Sequence, residues 1–193
     1  MSEFSPLWAE MRVRRKTRNV YLNSSAASRS GKALDRNRYP TQTEPSLRIR
    51  QASFDDMAAI AELSRKLAVH VGDPDPGSDA SLLLDSGFGR EQWFECVVAE
   101  EGSRILGFAL FCRRFEAHTR EKRLWLGDVY VTESRRRDGI GHALIAAVRA
   151  RGAELGCAAI DFELARGNHA ARAFYEYLDG VVHEAVEPWR LPT

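Results

Sequence analysis

A turn rich in arginine and glycine is the part of this sequence best suited to bind an anion. It runs from Arg136 to Gly141, between an apolar segment at residues 124–131 and the first apolar positions of an expected helix. Backbone N–H groups at such a turn point the same way, and the positive end of the helix dipole reinforces them. Gly139 and Gly141 let an anion approach the backbone closely. Arg136 and Arg137 offer charged, forked donors, so we predict a phosphate site.

The spacing of this turn separates it from two common nucleotide-binding loops. It reads Arg136-x-x-Gly139-x-Gly141. That pattern matches neither the Gly-x-x-x-x-Gly-Lys-Ser/Thr of P-loop enzymes nor the Gly-x-Gly-x-x-Gly of dinucleotide-binding folds. Taken alone, the turn fits equally well a tight strand-to-helix connection with solvated arginines. A second motif further along the chain favours the functional interpretation.

The second motif is a predicted strand, loop and helix over residues 159–178. Asn168 stands where the helix begins, and its side chain is suited to cap the first turn. Ala171, Phe174 and Tyr175 follow it in the pattern Asn-x-x-Ala-x-x-Phe-Tyr. With both motifs present in this order, the sequence resembles the GNAT superfamily of N-acetyltransferases from about residue 47 to about residue 191.

Three further segments resemble one branch of that superfamily, the diamine (spermidine/spermine) and thialysine N-acetyltransferases. The segments are residues 124–131, Asp85-Ser86-Gly87-Phe88-Gly89 and Glu187-Pro188-Trp189-Arg190-Leu191. The resemblance implies the GNAT fold, which is an α/β structure with a mixed sheet. It also implies acetyl-CoA as the cosubstrate and transfer of the acetyl group to an amine nitrogen.

The resemblance also implies which residues hold acetyl-CoA. The main chain of residues 129–131 would bind the pantetheine, between two strands that separate and end at Val131 and Leu164. The turn would take the pyrophosphate, and the following motif would line the other side of the cofactor. The implied cofactor-binding residues are Val129, Tyr130, Val131, Arg136, Arg137, Asp138, Gly139, Ile140, Gly141, His142, Asn168, Ala171 and Phe174.

Tyr175 is the residue that we expect to protonate the thiolate of CoA. A phenol has a pKa of about 10, close to that of an alkyl thiol, so the proton transfer is nearly balanced. The alternative is that Tyr175 only packs its helix onto the sheet together with Phe174 and Leu178. No cysteine lies in either motif to carry the acetyl group, so we expect direct attack by the amine in a ternary complex.

The sequence leaves several candidates for the base that deprotonates the amine. The branch carries Glu-Asp where this chain has Gly127-Asp128, and residues 67–71 lack the carboxylate that the branch has in its first helix. Asp128, His70 or an ordered water would serve as the base, and Asp128 is alternatively a structural hydrogen-bond acceptor. Glu187 matches the branch, so Glu187 and His70 are expected to contact the substrate. The loss of two carboxylates weakens the case for a polyamine.

The elements that position these residues follow from apolar spacing and turn signals. Ser53-x-x-Asp56 is an approximate capping box for the first helix, and the proline-rich residues 73–77 end that helix. The predicted order is β-α-α-β-β-β-α-β-α-β, a mixed sheet with helices on its faces. The predicted strands are at 47–50, 94–99, 105–112, 124–131, from 158 and from Val181, and the predicted helices start at 57, 80, 140 and 169.

Charge divides the chain into two parts. The 193 residues carry a net charge of +1, and 44% of them are hydrophobic, which suits one domain with an appendage. Residues 1–50 hold 11 Lys and Arg against 4 Asp and Glu, whereas residues 51–193 hold 17 against 23. We predict a basic, disordered extension at residues 1–46 and the N-acetyltransferase domain at residues 47–193. There are two alternatives for the extension. The predicted translation start lies too far upstream, or the basic run contacts nucleic acid or a membrane.

Other classes of protein are disfavoured by the composition. No apolar run approaches the ~20 residues of a membrane span, and the three cysteines and five histidines show no metal-ligand spacing. We expect a cytoplasmic enzyme without a metal, and neither a membrane nor nucleic acid as its main partner. An acidic domain would steer a cationic amine towards itself.

The favoured function is acetylation of a small primary amine, such as a diamine, a polyamine or a thialysine-like amino acid. The alternatives are a protein or peptide acceptor, and a CoA-binding regulatory module with little turnover. The resemblance further implies a homodimer formed through the C-terminal strand. In that segment Val181, Val182 and Trp189 alternatively belong to the core.

Overall fold

The computed structural model describes residues 11–12 and 46–192, and its main element is a mixed sheet of six strands. The strands are β1 (Met11–Arg12), β2 (Leu47–Gln51), β3 (Glu95–Glu101), β4 (Arg104–Glu116), β5 (Glu121–Val131) and β6 (Ala159–Asp161). They lie in sequence order across the sheet. Neighbours are antiparallel from β1 to β5, and β6 runs parallel to β5. The helices are α1 (Met57–Val71), α2 (Ser81–Phe88), α3 (Ile140–Glu154) and α4 (His169–Tyr177).

One face of the sheet carries α1 and α2 over a hydrophobic cluster. The apolar residues of α1 recur every three to four positions, so they form one stripe that is buried against the sheet. The cluster includes Met57, Ile60 and Leu63 of α1, Leu83 and Leu84 of α2, Phe108 of β4 and Tyr130 of β5. This packing places the end of β5 beneath the first helix.

Asp56 fixes the beginning of α1. Its carboxylate accepts hydrogen bonds from the backbone N–H of Ser53 at 2.7 Å and from two guanidinium nitrogens of Arg50 at 2.6 and 2.8 Å. Burial alone would raise the pKa of Asp56, but these hydrogen bonds outweigh it and hold the pKa at about 2. The predicted capping box is confirmed, and the arginine that completes it comes from the neighbouring strand. Gly72, with a φ of +83°, ends the helix.

The opposite face of the sheet is covered by α3. Its buried residues follow the predicted apolar stripe and include Ile140, Ala143, Leu144, Ala147 and Val148. Near the end of α3, Gly152 allows the helix to approach β5 closely. A Cβ atom at this position would lie 3.3 Å from Cδ1 of Leu124. β5 is therefore packed from both faces.

The structure differs from the sequence-based prediction at three places. β6 ends at Asp161, three residues before the predicted end at Leu164. The strand predicted from Val181 is not formed, because residues 181–192 contain only a turn and irregular chain. Val181 and Val182 are 82% and 64% exposed, and a strand needs a neighbour to satisfy its backbone. Within the predicted extension, residues 11–12 pair with β2, and residues 1–10 and 13–45 lie outside the described residues.

The chain divides into two compact units, Met1–Asp161 and Phe162–Thr193. The first contains the sheet and the helices α1 to α3, and the second contains α4 and the C-terminal segment. The predicted domain boundary after residue 46 stays a prediction. Within the described ranges, no helix has the length and apolar character that crossing a membrane requires.

Candidate active site

A bulge in β5 decides which of its side chains face α1. Asp128 lies opposite Leu110 of β4, and Leu126 lies opposite Phe111, so Gly127 has no partner residue. Leu110 and Phe111 are adjacent in their strand and therefore point to opposite faces. Leu126 and Asp128 consequently face opposite ways as well, although two residues separate them.

The bulge reconciles two packing requirements within one strand. Leu124 packs against Gly152 of α3, and Leu126 shares that face of the sheet. Tyr130 joins the cluster beneath α1, and Asp128 shares this other face. Strict alternation would put Leu124, Leu126, Asp128 and Tyr130 on one face. The extra residue thus turns Asp128 towards the α1 side.

Asp128 is a half-buried carboxyl group, and its side chain has neither a hydrogen bond nor an ion pair within residues 46–192. Burial is the cause that raises the pKa of Asp128 above its ordinary value. Cys96 lies beside it, opposite Leu110 on β3. The pKa of the Cys96 thiol is raised by burial first, and then by the charges of Asp56 and Asp128. A desolvated carboxylate that lacks donors is suited to accept a proton.

One edge of β5 extends beyond its neighbour. β6 pairs with β5 only as far as Trp125 and Asp161. β5 then continues over residues 126–131, and no strand of the described chain pairs with this edge. Pairing of the two strands therefore stops before both of their predicted ends, Val131 and Leu164.

The hydrogen bonds between β5 and β4 show which residues of β5 direct their backbone groups to the opposite, open edge. Thr132 donates its N–H to the carbonyl oxygen of Leu106 at 2.8 Å. In an antiparallel pair the direction alternates, so the backbone groups of Tyr130 also face β4, and those of Val129 and Val131 face the open edge. A pantetheine amide needs such main-chain donors and acceptors. Of the three residues predicted to bind pantetheine, Val129 and Val131 therefore present their backbone N–H and C=O groups at the open edge. The backbone of Tyr130 faces β4.

The turn after β5 offers an anion site at the beginning of α3. Gly139 is the N-cap residue, has a φ of +82° and carries no side chain that would cap the helix. The first helical bond runs from the N–H of Ala143 to the carbonyl oxygen of Gly139 at 3.0 Å. The N–H groups before Ala143 therefore have no acceptor within the helix. A Cβ atom at Gly139 would meet nothing within 4 Å, so the beginning of the helix is open, and its uncapped N–H groups suit an anion such as phosphate.

Two of the three arginines that precede this site are engaged by the protein. Arg135 pairs with Glu101 at the end of β3 at 2.6 Å and with Asp138 at 2.9 Å. Arg136 donates to a main-chain carbonyl of β5 at 3.1 Å. Arg137 is exposed, and its side chain makes no hydrogen bond or ion pair within the described ranges. Arg135 and Glu101 were not predicted from the sequence, where the only signal was a third consecutive arginine.

In the second unit, Asn168 begins α4 as predicted. Its side-chain oxygen accepts a hydrogen bond from the backbone N–H of Ala171 at 3.0 Å, which leaves its amide N–H groups for other partners. Tyr175 packs against Phe162 and Phe174, with ring centroids 4.2 and 5.1 Å away. Burial raises the pKa of the Tyr175 phenol. This phenol therefore stays protonated at neutral pH, as a proton donor must.

The remaining predicted site residues lie on the surface. His70 is in the last turn of α1, His142 is in the first turn of α3, and Glu187 is in the C-terminal segment, all of them exposed. Across the described residues, no group of three His, Cys, Asp or Glu side chains is arranged to hold a metal ion.

Known proteins resemble this chain in sequence and in fold. Residues 58–179 match the profile of the Acetyltransferase (GNAT) family. Thialysine N-epsilon-acetyltransferase of Sus scrofa is 29% identical over 154 residues, which cover 75% of this chain and 89% of that protein. Spermidine/spermine N(1)-acetyltransferase-like protein 1 of Homo sapiens is 28% identical over 152 residues, 74% of this chain and 22% of that protein. The crystal structure of a possible acetyltransferase from Clostridium difficile 630 has a similar fold, with a TM-score of 0.67 at 19% identity over 76% of this chain and 97% of that one.

Proposed function

The chain belongs to the Acetyltransferase (GNAT) family, and from this premise we propose that it acetylates a small primary amine by direct attack on acetyl-CoA. Membership confirms the predicted family and its acyltransferase activity, and acetyl-CoA is the acetyl donor that GNAT acetyltransferases use. The observation that carries the finer proposal is Asp128. This carboxyl group has a pKa raised by burial, faces α1 and lies beside the open edge of β5.

The open edge and the turn fit different parts of acetyl-CoA. The pantetheine arm would pair with the free backbone groups of Val129 and Val131. The pyrophosphate would lie at the first turn of α3, where Gly139, Ile140, Gly141 and His142 contribute backbone N–H groups next to the positive end of the helix dipole. In the second unit, we assign Asn168, Ala171 and Phe174 to the lining of the cofactor, because the amide of Asn168 keeps donors available.

The reaction needs a base for the amine, polarisation of the thioester carbonyl and an acid for the thiolate. Asp128, directly or through one water, would take the proton from the ammonium form of the acceptor, so that the neutral nitrogen attacks the carbonyl carbon. A backbone N–H at the open edge, such as that of Val129, would stabilise the developing oxyanion. The C–N bond forms, the nitrogen gives up its second proton to water, and the C–S bond breaks. Tyr175 would give its phenolic proton to the thiolate and regain one from solvent, and Asp128 would release its proton to solvent, so the products are the N-acetyl amine, CoA and one proton.

Acidic side chains on the α1 side support a cationic acceptor. Residues 72–94, which include α2, carry five carboxylates and one arginine. α2 packs against the cluster on the face that Asp128 shares. Asp75, one of the five carboxylates, pairs with Arg65 at 3.3 Å, and the net negative charge of the segment would attract an ammonium group towards this face. Because Gly127 supplies no second carboxylate, we favour a diamine or a thialysine-like amino acid over a longer polyamine. His70 and Glu187 are our candidates for contacts to the acceptor.

The C-terminal segment supports the proposal of a homodimer. It exposes five large apolar side chains, between 64% and 85%: Val181, Val182, Val186, Trp189 and Leu191. Exposed apolar groups concentrated in one short segment favour association. The strand predicted there would form when a second copy supplies a neighbour. Light scattering on the full chain and on Trp189→Ser tests this, with a monomeric wild type as the contradicting result.

The cytoplasmic location is a further part of the proposal. Its support is that Cys96, Cys112 and Cys157 are free thiols, as proteins of a reducing compartment usually are. Fractionation of cells that produce the full chain tests it.

The first experiment follows release of free CoA from acetyl-CoA with a panel of acceptors. The panel contains putrescine, spermidine, thialysine, lysine and a peptide with a free amine. Release with one small amine, absent in Asp128→Asn, supports the proposal. Release with the peptide alone would favour a peptide acceptor. Binding of acetyl-CoA without release for any acceptor would favour a regulatory role, for which the missing carboxylate at Gly127 is the supporting observation.

A further inference from the structure

Arg136 is bound to the protein at three points. Its Nε donates to the carbonyl oxygen of Val131 at 3.1 Å. Its guanidinium carbon lies 5.5 Å from the centre of the Tyr130 ring, and Nη1 lies 3.7 Å from a carboxylate oxygen of Glu133. Tyr130 is itself buried, with 6% exposure, so the surface beneath the guanidinium is fixed. Arg136 is therefore attached to the end of β5 by one directed hydrogen bond and by the contact of its guanidinium plane with the Tyr130 ring.

The carbonyl that Arg136 holds belongs to the open edge of β5. Val131 is the last residue of that strand, and its backbone faces away from β4. By satisfying this oxygen, Arg136 leaves the N–H of Val131 and both backbone groups of Val129 as the free groups of the edge. The side chain also joins the turn to the strand that precedes it.

Arg137 differs from its neighbour in each of these respects. It is exposed, its side chain has no ion pair or hydrogen bond within the part of the chain described, and its φ is +68°. Residues other than glycine rarely adopt that conformation. It precedes the N-cap Gly139 by two positions, so its backbone belongs to the same turn as the uncapped N–H groups of α3, and its long side chain is able to reach an anion bound there. A free guanidinium at that place is able to form forked contacts to phosphate oxygens.

We infer that Arg136 is a positioning residue that locks the turn onto β5, and that Arg137 is the arginine that meets the phosphates of the cosubstrate. The inference rests on the proposed function, since it presupposes that the turn binds CoA. Residue type and spacing assign the two arginines the same role. The contacts of their side chains separate them.

The test measures the Kd of CoA over a range of salt concentrations for four variants: Arg136→Gln, Arg136→Lys, Arg137→Gln and Arg137→Lys. Removing a cation that contacts phosphate weakens binding and flattens its salt dependence, because a screened attraction has been lost. We expect Arg137→Gln to raise Kd by about tenfold at low salt and to flatten the salt dependence. Arg137→Lys should restore most of both, because it restores the charge.

Arg136 should behave differently in the same measurement. Arg136→Gln should raise Kd while keeping the salt dependence of the wild type. Arg136→Lys should not rescue affinity, because an ammonium group cannot combine the planar contact to Tyr130 with the directed bond to Val131. Arg136→Lys carries the comparison if Arg136→Gln does not fold, and thermal melts establish which variants are folded.

Arg114→Gln is the matched control. The Arg114 guanidinium also lies 5.5 Å from an aromatic ring, that of Trp125, but near the other end of the β4–β5 pair. Its Kd for CoA should stay within about twofold of the wild type. The inference is overturned, and the proposed function stands, if Arg136→Gln flattens the salt dependence as much as Arg137→Gln or if Arg136→Lys restores affinity. A wild-type chain that does not bind CoA would overturn both.

Discussion

Leu126 and Asp128 are two residues apart in β5 but point to opposite faces of the sheet. The bulge at Gly127 produces this relationship, because Leu126 pairs with Phe111 and Asp128 pairs with Leu110. Leu126 keeps its place under α3, and the carboxyl group is turned towards α1. A half-buried carboxyl without a donor costs stability, and the proposed role of Asp128 as the base would account for its presence there.

Asp128→Asn separates a catalytic role from a structural one. As the base, Asp128 must be ionised, so kcat/KM should rise with pH through its pKa, which burial raises above the ordinary value. The variant should lose about 100-fold or more in kcat and should lack this acidic limb. The pH profile with the best acceptor of the panel measures both.

Thermal stability gives the independent readout for Asp128. A carboxyl whose pKa is higher in the folded state holds more protons folded than unfolded between the two pKa values, so stability falls as pH rises through that window. Asp128→Asn removes the destabilisation that an ionised carboxylate causes at this half-buried position. The variant should therefore melt no lower than the wild type at neutral pH. A clear loss of Tm together with unchanged kcat would instead identify a structural hydrogen-bond acceptor.

The two glycines of the β4–β5 pair should respond differently to alanine. A Cβ atom at Gly127 would lie 3.5 Å from Cδ2 of Leu110, an ordinary contact, whereas one at Gly107 would lie 2.6 Å from the carbonyl oxygen of Tyr130. Gly127→Ala should change the free energy of unfolding by less than about 1 kcal/mol, and Gly107→Ala should cost more, about 1–3 kcal/mol, because backbone must move. Urea denaturation compares them, and equal losses would contradict the assignment of the bulge.

Because a side chain fits at the bulge, Gly127→Glu should fold and place a second carboxylate near Asp128. In Gly127→Glu, the KM for a dicationic amine should be a few-fold lower than the KM for a monocationic amine. The added charge attracts the second ammonium group. Gly127→Gln has nearly the same shape without the charge and is the control. An equal change with both variants would show that size, and not charge, is responsible.

Tyr175→Phe keeps the ring against Phe162 and Phe174 and removes only the hydroxyl group. If Tyr175 is the acid, kcat should fall by about 100-fold or more while Tm stays the same. Burial raises the pKa of Tyr175, so the wild type should lose activity only above the usual titration range of tyrosine. Tyr177→Phe, on a side chain that is 80% exposed, is the control. An unchanged kcat across pH would leave Tyr175 with a packing role.

The Arg50–Asp56 pair should make the chain sensitive to acid. The pKa of Asp56 is about 2 in the folded state, below its ordinary value, so the pair stabilises the fold above that ordinary value. The contribution is lost as pH falls through about 2, and it amounts to roughly 2 kcal/mol. Asp56→Asn should therefore reduce stability at pH 7 by about that amount and much less near pH 2. A pH-independent loss would indicate packing instead of charge.

Local signals in the sequence were sufficient to predict where α3 and α4 begin, because each of these helices starts at a recognisable motif. Asn168 caps α4 through Ala171, and Gly139 begins α3 in the left-handed conformation, as residue type and spacing predict. The last strand was not predictable in the same way. Val181 and Val182 have the composition of a strand, but a strand exists only with a neighbour, and composition does not supply one.

By itself, the sequence determined the family, the order of the elements from β2 to α4 and the place of the glycine-containing turn before α3, because these depend on spacing along the chain. Tertiary structure decided the roles within those elements. Strict alternation did not predict that Asp128 faces α1, since the bulge at Gly127 depends on the register with β4. Nor does spacing distinguish Arg136 from Arg137, because the carbonyl of Val131 is free to bind Arg136 only where pairing with β6 has ended. Such differences arise from contacts between separate strands, which only the folded chain brings together.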